Sequence, residues 1–425
     1  MTAIVFLLEL LILADIKSSG IDPVDNLTVC FFIVGVFVSF VFDISKSRRF
    51  RHVRLPLVIG FSFRLALLFF DRYGQGIYQL PNSGADSETF YFNAKWQALG
   101  LPSRRTGSFI SLFRDIFRII GTNRLFGQFI IVMFSVVALC ATAYILSELD
   151  LNMKQRFKTM MLVSLLPNFA VLGAIFLRES IVSMFTTLSL LFFVRYLKGK
   201  SVINVLLSAG FLLFGSIYHS GIIGLAIGYI LVVLLFNRKK QKNTLSFGRI
   251  ITAGFLGIGL LYLYINYNDT MFSKISGIDD LSDIANISQL GRTNYSRYVG
   301  NSNSIWNVMI FTIPRVLFFL FSPFPWQWGT TADLIGFFFS GLYYLLVLLH
   351  TCRFLIHRKG NERTFVFNLL LVTMCFVFVF AWGVVNSGTA CRHREKGATL
   401  FAVLYALTLP TGRSRPNLDG ARLKL

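Results

Sequence analysis

Acidic residues are scarce in this chain: Asp and Glu number 20 against 41 Lys and Arg, and charged residues of both signs make up only 14% of the sequence. A soluble globular domain averages about 25%. Cysteine is sparse as well. Cys30, Cys140, Cys352, Cys375 and Cys391 stand singly, mostly inside apolar runs. They offer neither a disulfide framework nor a metal-ligand spacing, and read as small apolar residues. The chain has no P-loop, no Gly-rich dinucleotide turn and no His/Cys metal spacing, so the sequence implies no cofactor and no metal, and argues against ATP-driven transport by this chain alone. A basic n-region is missing at the amino terminus, and the first apolar run ends in Ala14-Asp15-Ile16 without a small-x-small cleavage pattern. That run reads as a short first helix rather than a signal peptide.

What fills the sequence instead is apolar: 55% hydrophobic and 16% aromatic residues, with 46 phenylalanines. They are arranged in repeated runs near spanning length, the mark of an all-α, polytopic integral membrane protein. A β-barrel would alternate polar and apolar residues over segments of about ten. The runs fall near 2–16, 27–43, 55–71, 128–147, 157–177, 180–197, 202–218, 221–237, 249–266, 332–352, 364–385 and 397–411. Placing the basic loops 44–54, 148–158, 195–201, 238–249, 353–363 and the tail 412–425 in the cytoplasm satisfies the positive-inside rule. The net charge of +21 is thereby an orientation signal and not a nucleic-acid footprint.

That parity leaves Ile305–Trp328 on the outer face as a re-entrant or interfacial segment, interrupted by Pro314, Pro323 and Pro325, with Trp326 and Trp328 suited to the headgroup zone. The expected architecture is a single polytopic domain of about 12 spans. Its outer loop 72–127 carries Phe109, Leu112, Phe113, Ile116 and Phe117 at helical spacing opposite Arg114 and Asp115. This is the pattern of an amphipathic helix lying on the membrane. A second outer loop, 267–331, is polar in its first part and holds the interfacial segment in its second. The residues from 412 form a basic cytoplasmic tail.

In this topology the unusual polar residues gather on the outer side. Asp86 and Glu88 lie in GADSETFY, Arg178 and Glu179 in FLRES, His219 in YHSG, Arg292 and Tyr295 in GRTNY, and Arg392, His393, Arg394 and Lys396 in GTACRHREK. Charge at bilayer depth costs roughly 2.5–3.5 kcal/mol on insertion scales, so the Arg178-Glu179 pair inside an apolar stretch marks a candidate site. Basic residues in a short outer loop oppose the orientation rule, and an anionic ligand is the simplest compensation, because guanidinium groups bind phosphate bidentately. Plainer roles stand beside these. Asp86-Ser87 is also a helix cap, Arg178-Glu179 a structural turn pair, and His219 a packed interfacial histidine. The Arg-His-Arg-Glu-Lys run is also a seat for lipid headgroups. Pro167-Asn168 reads as a kink with the asparagine bonding freed backbone groups, and Arg64 as a snorkelling or paired cation.

The ordered set GADSETFY, PN followed by FLRES, YHSG, GRTNY, SPFPW and GTACRHREK, running from about Asp86 to Lys396, resembles the oligosaccharide repeat-unit polymerases of bacterial surface polysaccharides (the Wzy and EpsG-like group). Their architecture is related to the GT-C glycosyltransferases. The paired long Arg-rich loops of some O-antigen polymerases are not seen. The resemblance implies a multi-pass enzyme of the bacterial cytoplasmic membrane with its active site on the outer face. Its substrates would be undecaprenyl-diphosphate-linked oligosaccharides, and a flippase and a chain-length regulator would be its partners. In that chemistry Arg178, Arg392 and Arg394, assisted by His393 and Lys396, stabilise the diphosphate leaving group. Asp86, Glu179 or His219 serves as the base for the acceptor hydroxyl, Asp86 placed first by its resemblance to the acidic residue in the first outer loop of GT-C enzymes. Arg292 and Tyr295 hold diphosphate or sugar. Two other activities stay open: a GT-C transferase adding one sugar from a polyprenyl-phosphate donor, and a flippase or other transporter of lipid-linked oligosaccharide.

Overall fold

The computed structural model describes residues 1–20, 25–237, 240–244, 247–248, 250–251, 254–255, 293–299 and 305–410. Most of the expected span 249–266, most of the loop 267–304 with Arg292, and the tail 412–425 lie outside the described residues. What is described is mostly helical. Among the described residues five helices are long and apolar enough to cross a membrane: Asn26–Lys46 (α2), Arg124–Glu148 (α6), Glu179–Leu197 (α9), Thr331–His357 (α13) and Asn361–Trp382 (α14). This is the make-up of a multi-pass membrane protein, since about 20 apolar residues at 1.5 Å rise cover the hydrocarbon core. The chain divides into two compact units, one of residues 1–144 and 160–184, the other of 145–159 and 185–425.

The first unit begins with α1 (Thr2–Ser18), α2 and α3 (Arg54–Tyr73). Asp25 caps α2 by accepting from the Thr28 amide and hydroxyl, each at 2.7 Å. The buried face of α2 repeats at helical spacing through Val29, Ile33, Val36, Phe40 and Ile44. Phe61 of α3 receives Phe37 and Phe40 edge-on at 5.2 and 5.1 Å. Next come α4 (Ala85–Ala98) and α5 (Ser108–Ile120), packed as a hairpin before α6.

The expected span 157–177 is not one helix. It is α7 (Met153–Leu165), then α8 (Pro167–Leu172), then a non-helical stretch over 173–178 that ends at the start of α9. Proline at the first position of α8 forces Leu166 out of the helical region, to φ −58° and ψ 110°. Asn168 is buried, but its Nδ2 bonds to none of the backbone groups freed there.

The second unit holds α10 (Ile203–Tyr218), α11 (Ile223–Leu235), α12 (Ile305–Phe321), α13, α14, α15 (Ser387–Glu395) and α16 (Ala398–Thr408). Gly224 and Gly228 bring α11 against the backbone of α14. A Cβ on Gly224 would stand 2.6 Å from the Cys375 carbonyl oxygen, and one on Gly228 2.7 Å from Val372 Cα. This is the close approach that small residues four apart allow between apolar helices. Pro314 does not interrupt 305–321 as expected; it sits inside α12. Gly336–Gly341 forms a π-helical segment inside α13. The one strand pair among the described residues joins Phe236–Asn237 to Lys242–Asn243.

Candidate functional site

In the first unit the break after α8 and the start of α4 share one aromatic box. Phe176, in the non-helical stretch, meets Phe113 at 4.5 Å, Phe109 at 5.6 Å and Tyr91 at 5.8 Å. The apolar face of α5 is therefore buried against protein, which corrects the expectation of a helix lying in the bilayer surface on that face. Ser180 Oγ donates to the Leu172 carbonyl at 2.8 Å, tying the first turn of α9 back to the end of α8 across the gap. Non-helical backbone at membrane depth is tolerated only where protein or a cavity surrounds it, and the flanking Leu172, Ile175 and Leu177 are all buried.

A chain of polar contacts connects this break with α4. Arg124 grips Glu88 with both terminal nitrogens, at 2.7 and 3.2 Å, and lies 4.6 Å from the centre of the Tyr91 ring. The next link is Gln128, whose Nε2 donates to Asp71 Oδ2 at 2.7 Å and to the Ala174 carbonyl at 3.3 Å. Asp71 is 1% exposed and its second oxygen has no hydrogen bond. Within this unit Asp86 is exposed in the first turn of α4, Arg178 is half-buried, and Glu179 is buried as the first residue of α9. Gly84, at φ 118°, opens α4, and its amide donates to Ser87 Oγ at 3.2 Å. Ser87 rather than Asp86 thus takes the capping role. The helix macrodipole favours both carboxylates of this turn, Asp86 and Glu88.

In the second unit four motifs far apart in sequence meet around α15. The GRTNY segment pairs with the residues that open α15: the Tyr295 amide donates to the Val385 carbonyl and the Ser387 amide to the Thr293 carbonyl, both at 2.9 Å. YHSG arrives through His219, whose ring stands edge-to-face with His393 at 4.7 Å and stacks on Phe380 at 5.0 Å. Lys396 Nζ sits 5.5 Å from the centre of that same Phe380 ring. SPFPW arrives through the Ser322 carbonyl, which accepts from Arg394 at 2.6 Å.

This geometry changes several of the expected roles. The run Arg392–Lys396 is not an exposed loop: Arg394, Glu395 and Lys396 are each at most 1% exposed. Arg394 is no phosphate clamp here. It donates to the carbonyls of Leu320 at 2.9 Å and Gly336 at 2.8 Å, besides Ser322, and through Nε to Ser340 Oγ at 2.8 Å. These carbonyls belong to the C-terminal end of α12 and to the π segment of α13, where backbone acceptors lack helical donors. Its charge is thus compensated by the protein. The same Ser340 hydroxyl donates to Glu395.

Tyr295 offers no ring face to a sugar. It is fully buried, packs 4.9 Å from Phe318 and donates to the Val384 carbonyl at 3.2 Å; burial pushes its phenol far above the usual range. His219 Nδ1 accepts from the Gly221 amide at 3.1 Å, which engages that nitrogen and leaves Nε2 to carry the proton of the neutral ring. Arg392 is half-buried and His393 is 9% exposed.

Residues that sequence reasoning passed over include Asp71, Arg124, Gln128 and Ser340. Asp71 carried a signal, as an acid closing an apolar run; Arg124 and Gln128 looked like ordinary helix-flanking residues. Arg64 neither snorkels nor pairs with an acid. It is fully buried and donates to Ser135 Oγ at 2.6 Å and to the Gly60 and Ser164 carbonyls at 3.0 Å. Among the described residues no group of three His, Cys, Asp or Glu is placed to hold a metal ion. No family model, curated protein or solved structure matches the chain.

Proposed function

We propose that the protein is a membrane glycosyltransferase that polymerises undecaprenyl-diphosphate-linked repeat units into a surface polysaccharide, working on the outer face of the bacterial cytoplasmic membrane. In this reading it has about 12 spans and a GT-C-like architecture. One observation carries the proposal. The separate motifs that resemble this enzyme group gather into a few clusters, GADSETFY with FLRES in the first unit, and YHSG, GRTNY and SPFPW around GTACRHREK in the second.

In the reaction, the acceptor hydroxyl oxygen attacks the anomeric carbon of the donor glycan, and the bond from that carbon to the diphosphate oxygen breaks. The hydroxyl proton passes to Asp86, exposed in the first turn of α4, and undecaprenyl diphosphate leaves with the bonding electrons. Joining two lipid-linked substrates presents two diphosphates. Arg178 and Arg392, each half-buried, are assigned to diphosphate binding from their motifs. His393 and Lys396 support Arg392, Glu179 is the alternative proton acceptor, and Arg292 remains assigned to substrate from its motif alone.

The test is an electrophoretic profile of surface polysaccharide and lipid-linked intermediates from cells lacking the protein. A ladder collapsed to one completed repeat on lipid is the expected result. A truncated repeat missing one sugar would replace the proposal with a single-sugar GT-C transferase. Loss of all periplasmic repeats, with full repeats retained on the cytoplasmic side, would indicate a flippase.

A further inference from the structure

With most of the α5 apolar face buried, the exposed apolar side chains of this hairpin lie largely on α4 and the loop after it. Phe92 is 41% exposed, Trp96 36%, Leu99 48% and Leu101 51%. Phe92 and Trp96 stand one turn apart with their rings stacked at 5.8 Å. The Leu101 amide donates to the Trp96 carbonyl at 2.8 Å, which folds the following loop back beside this stripe.

The same folding brings basic residues to its edge. The Arg105 amide donates to Asn93 Oδ1 at 2.9 Å, and Gln97 Nε2 donates to the Arg105 carbonyl at 3.0 Å. Arg118, on α5, reaches the Gln97 carbonyl at 3.3 Å. Arg104 and Arg105 are exposed, and 53% of the Arg118 side chain is exposed. The acids in the neighbourhood are otherwise engaged. Asp115 is held by Arg114 through contacts of 2.7 and 2.9 Å, with Arg118 a weaker neighbour at 3.9 Å. Glu88, near the far end of α4, is gripped by Arg124. The hairpin leaves from the end of α3 and returns at the start of α6, a helix long enough to span. Through α6 it is therefore tethered close to the bilayer surface.

An aromatic and aliphatic stripe edged by exposed guanidinium groups, tethered at that depth, matches the boundary between acyl chains and anionic headgroups. We propose that this face of the α4–α5 hairpin seats anionic phospholipid of the bilayer, with Phe92, Trp96, Leu99 and Leu101 in the acyl boundary and Arg104, Arg105 and Arg118 on headgroup phosphates. The seat is independent of which reaction the chain catalyses.

The test uses the full chain in nanodiscs free of polyprenyl lipids. Lipids brominated near the headgroup end of the acyl chain, either phosphatidylglycerol or phosphatidylcholine, quench the fluorescence of nearby tryptophan. The difference between wild type and Trp96→Phe isolates the signal of Trp96. Half-maximal quenching of Trp96 is expected at about tenfold lower mole fraction of the anionic lipid than of the zwitterionic one. The double variant Arg104→Glu, Arg105→Glu should abolish that preference, and Arg104→Lys, Arg105→Lys should keep most of it. An unquenched Trp96 would mean that water or protein covers the face. Equal quenching by both lipids would mean apolar anchoring without headgroup recognition. Either result overturns the proposal.

Discussion

Arg392 and Arg394 sit two positions apart in α15, yet Arg394 is fully buried on backbone carbonyls while Arg392 keeps part of its surface exposed. Removing Arg394 would leave several buried acceptors without donors. We expect Arg394→Ala to destabilise the protein by about 3–5 kcal/mol, read as a lower unfolding temperature in detergent and a lower level in membranes. Arg392→Ala should change stability by no more than about 0.5 kcal/mol while abolishing chain extension. A second contrast concerns Tyr295: Tyr295→Phe removes one hydrogen bond, costs about 1 kcal/mol, and should leave glycan length unchanged. Loss of polymer in that variant would restore the sugar-binding role. The sequence displayed the charge of Arg394 but not its fate. That depends on where α12 ends and on the π segment of α13, and neither leaves a pattern near residue 394.

At the scale of elements, the non-helical stretch at 173–178 and the α11–α14 contact carry the most specific expectations. Phe176 fills a box of aromatic rings, so Phe176→Ala should cost about 3–5 kcal/mol. Because the break also places Arg178, this variant should reduce chain extension along with stability. Gly224→Leu should separate α11 from α14 and lower the unfolding temperature, with Ala at the same site milder. The apolar runs made most helices legible, since 3.6-residue periodicity and run length are local properties. The break was hidden. Residues 173–178 are nearly all apolar and read as the end of a span, and the bonds that compensate the backbone there, from the Ser180 hydroxyl, the Gln128 amide and local turns such as Leu177 N–H to the Ile175 carbonyl, leave no pattern in sequence. The amphipathic pattern of α5 was equally legible, but an apolar face packs on protein or on lipid with the same sequence. The fit with Tyr91 and Phe176 decided it.

For the molecule as a whole, the proposed polymerase chemistry rests on side chains and two lipid-linked substrates. The protein's class as an apolar, helical chain compatible with a multi-pass membrane protein was legible in composition, because 46 phenylalanines and only 14% charged residues in repeated apolar runs suit a bilayer. The convergence of distant motifs was not readable in the same way, since contacts across 70 to 90 residues, such as Arg394 with Ser322 or Tyr295 with Val384, depend on tertiary packing. The most direct measurement of the central claim is reconstitution of the purified protein in proteoliposomes with the lipid-linked repeat unit, followed by sizing of the glycan. Products longer than one repeat are expected with wild type, and only single repeats with Arg178→Ala incorporated to the same level. Polymer of wild-type length from Arg178→Ala, or single repeats alone from a folded wild-type protein, would contradict that claim.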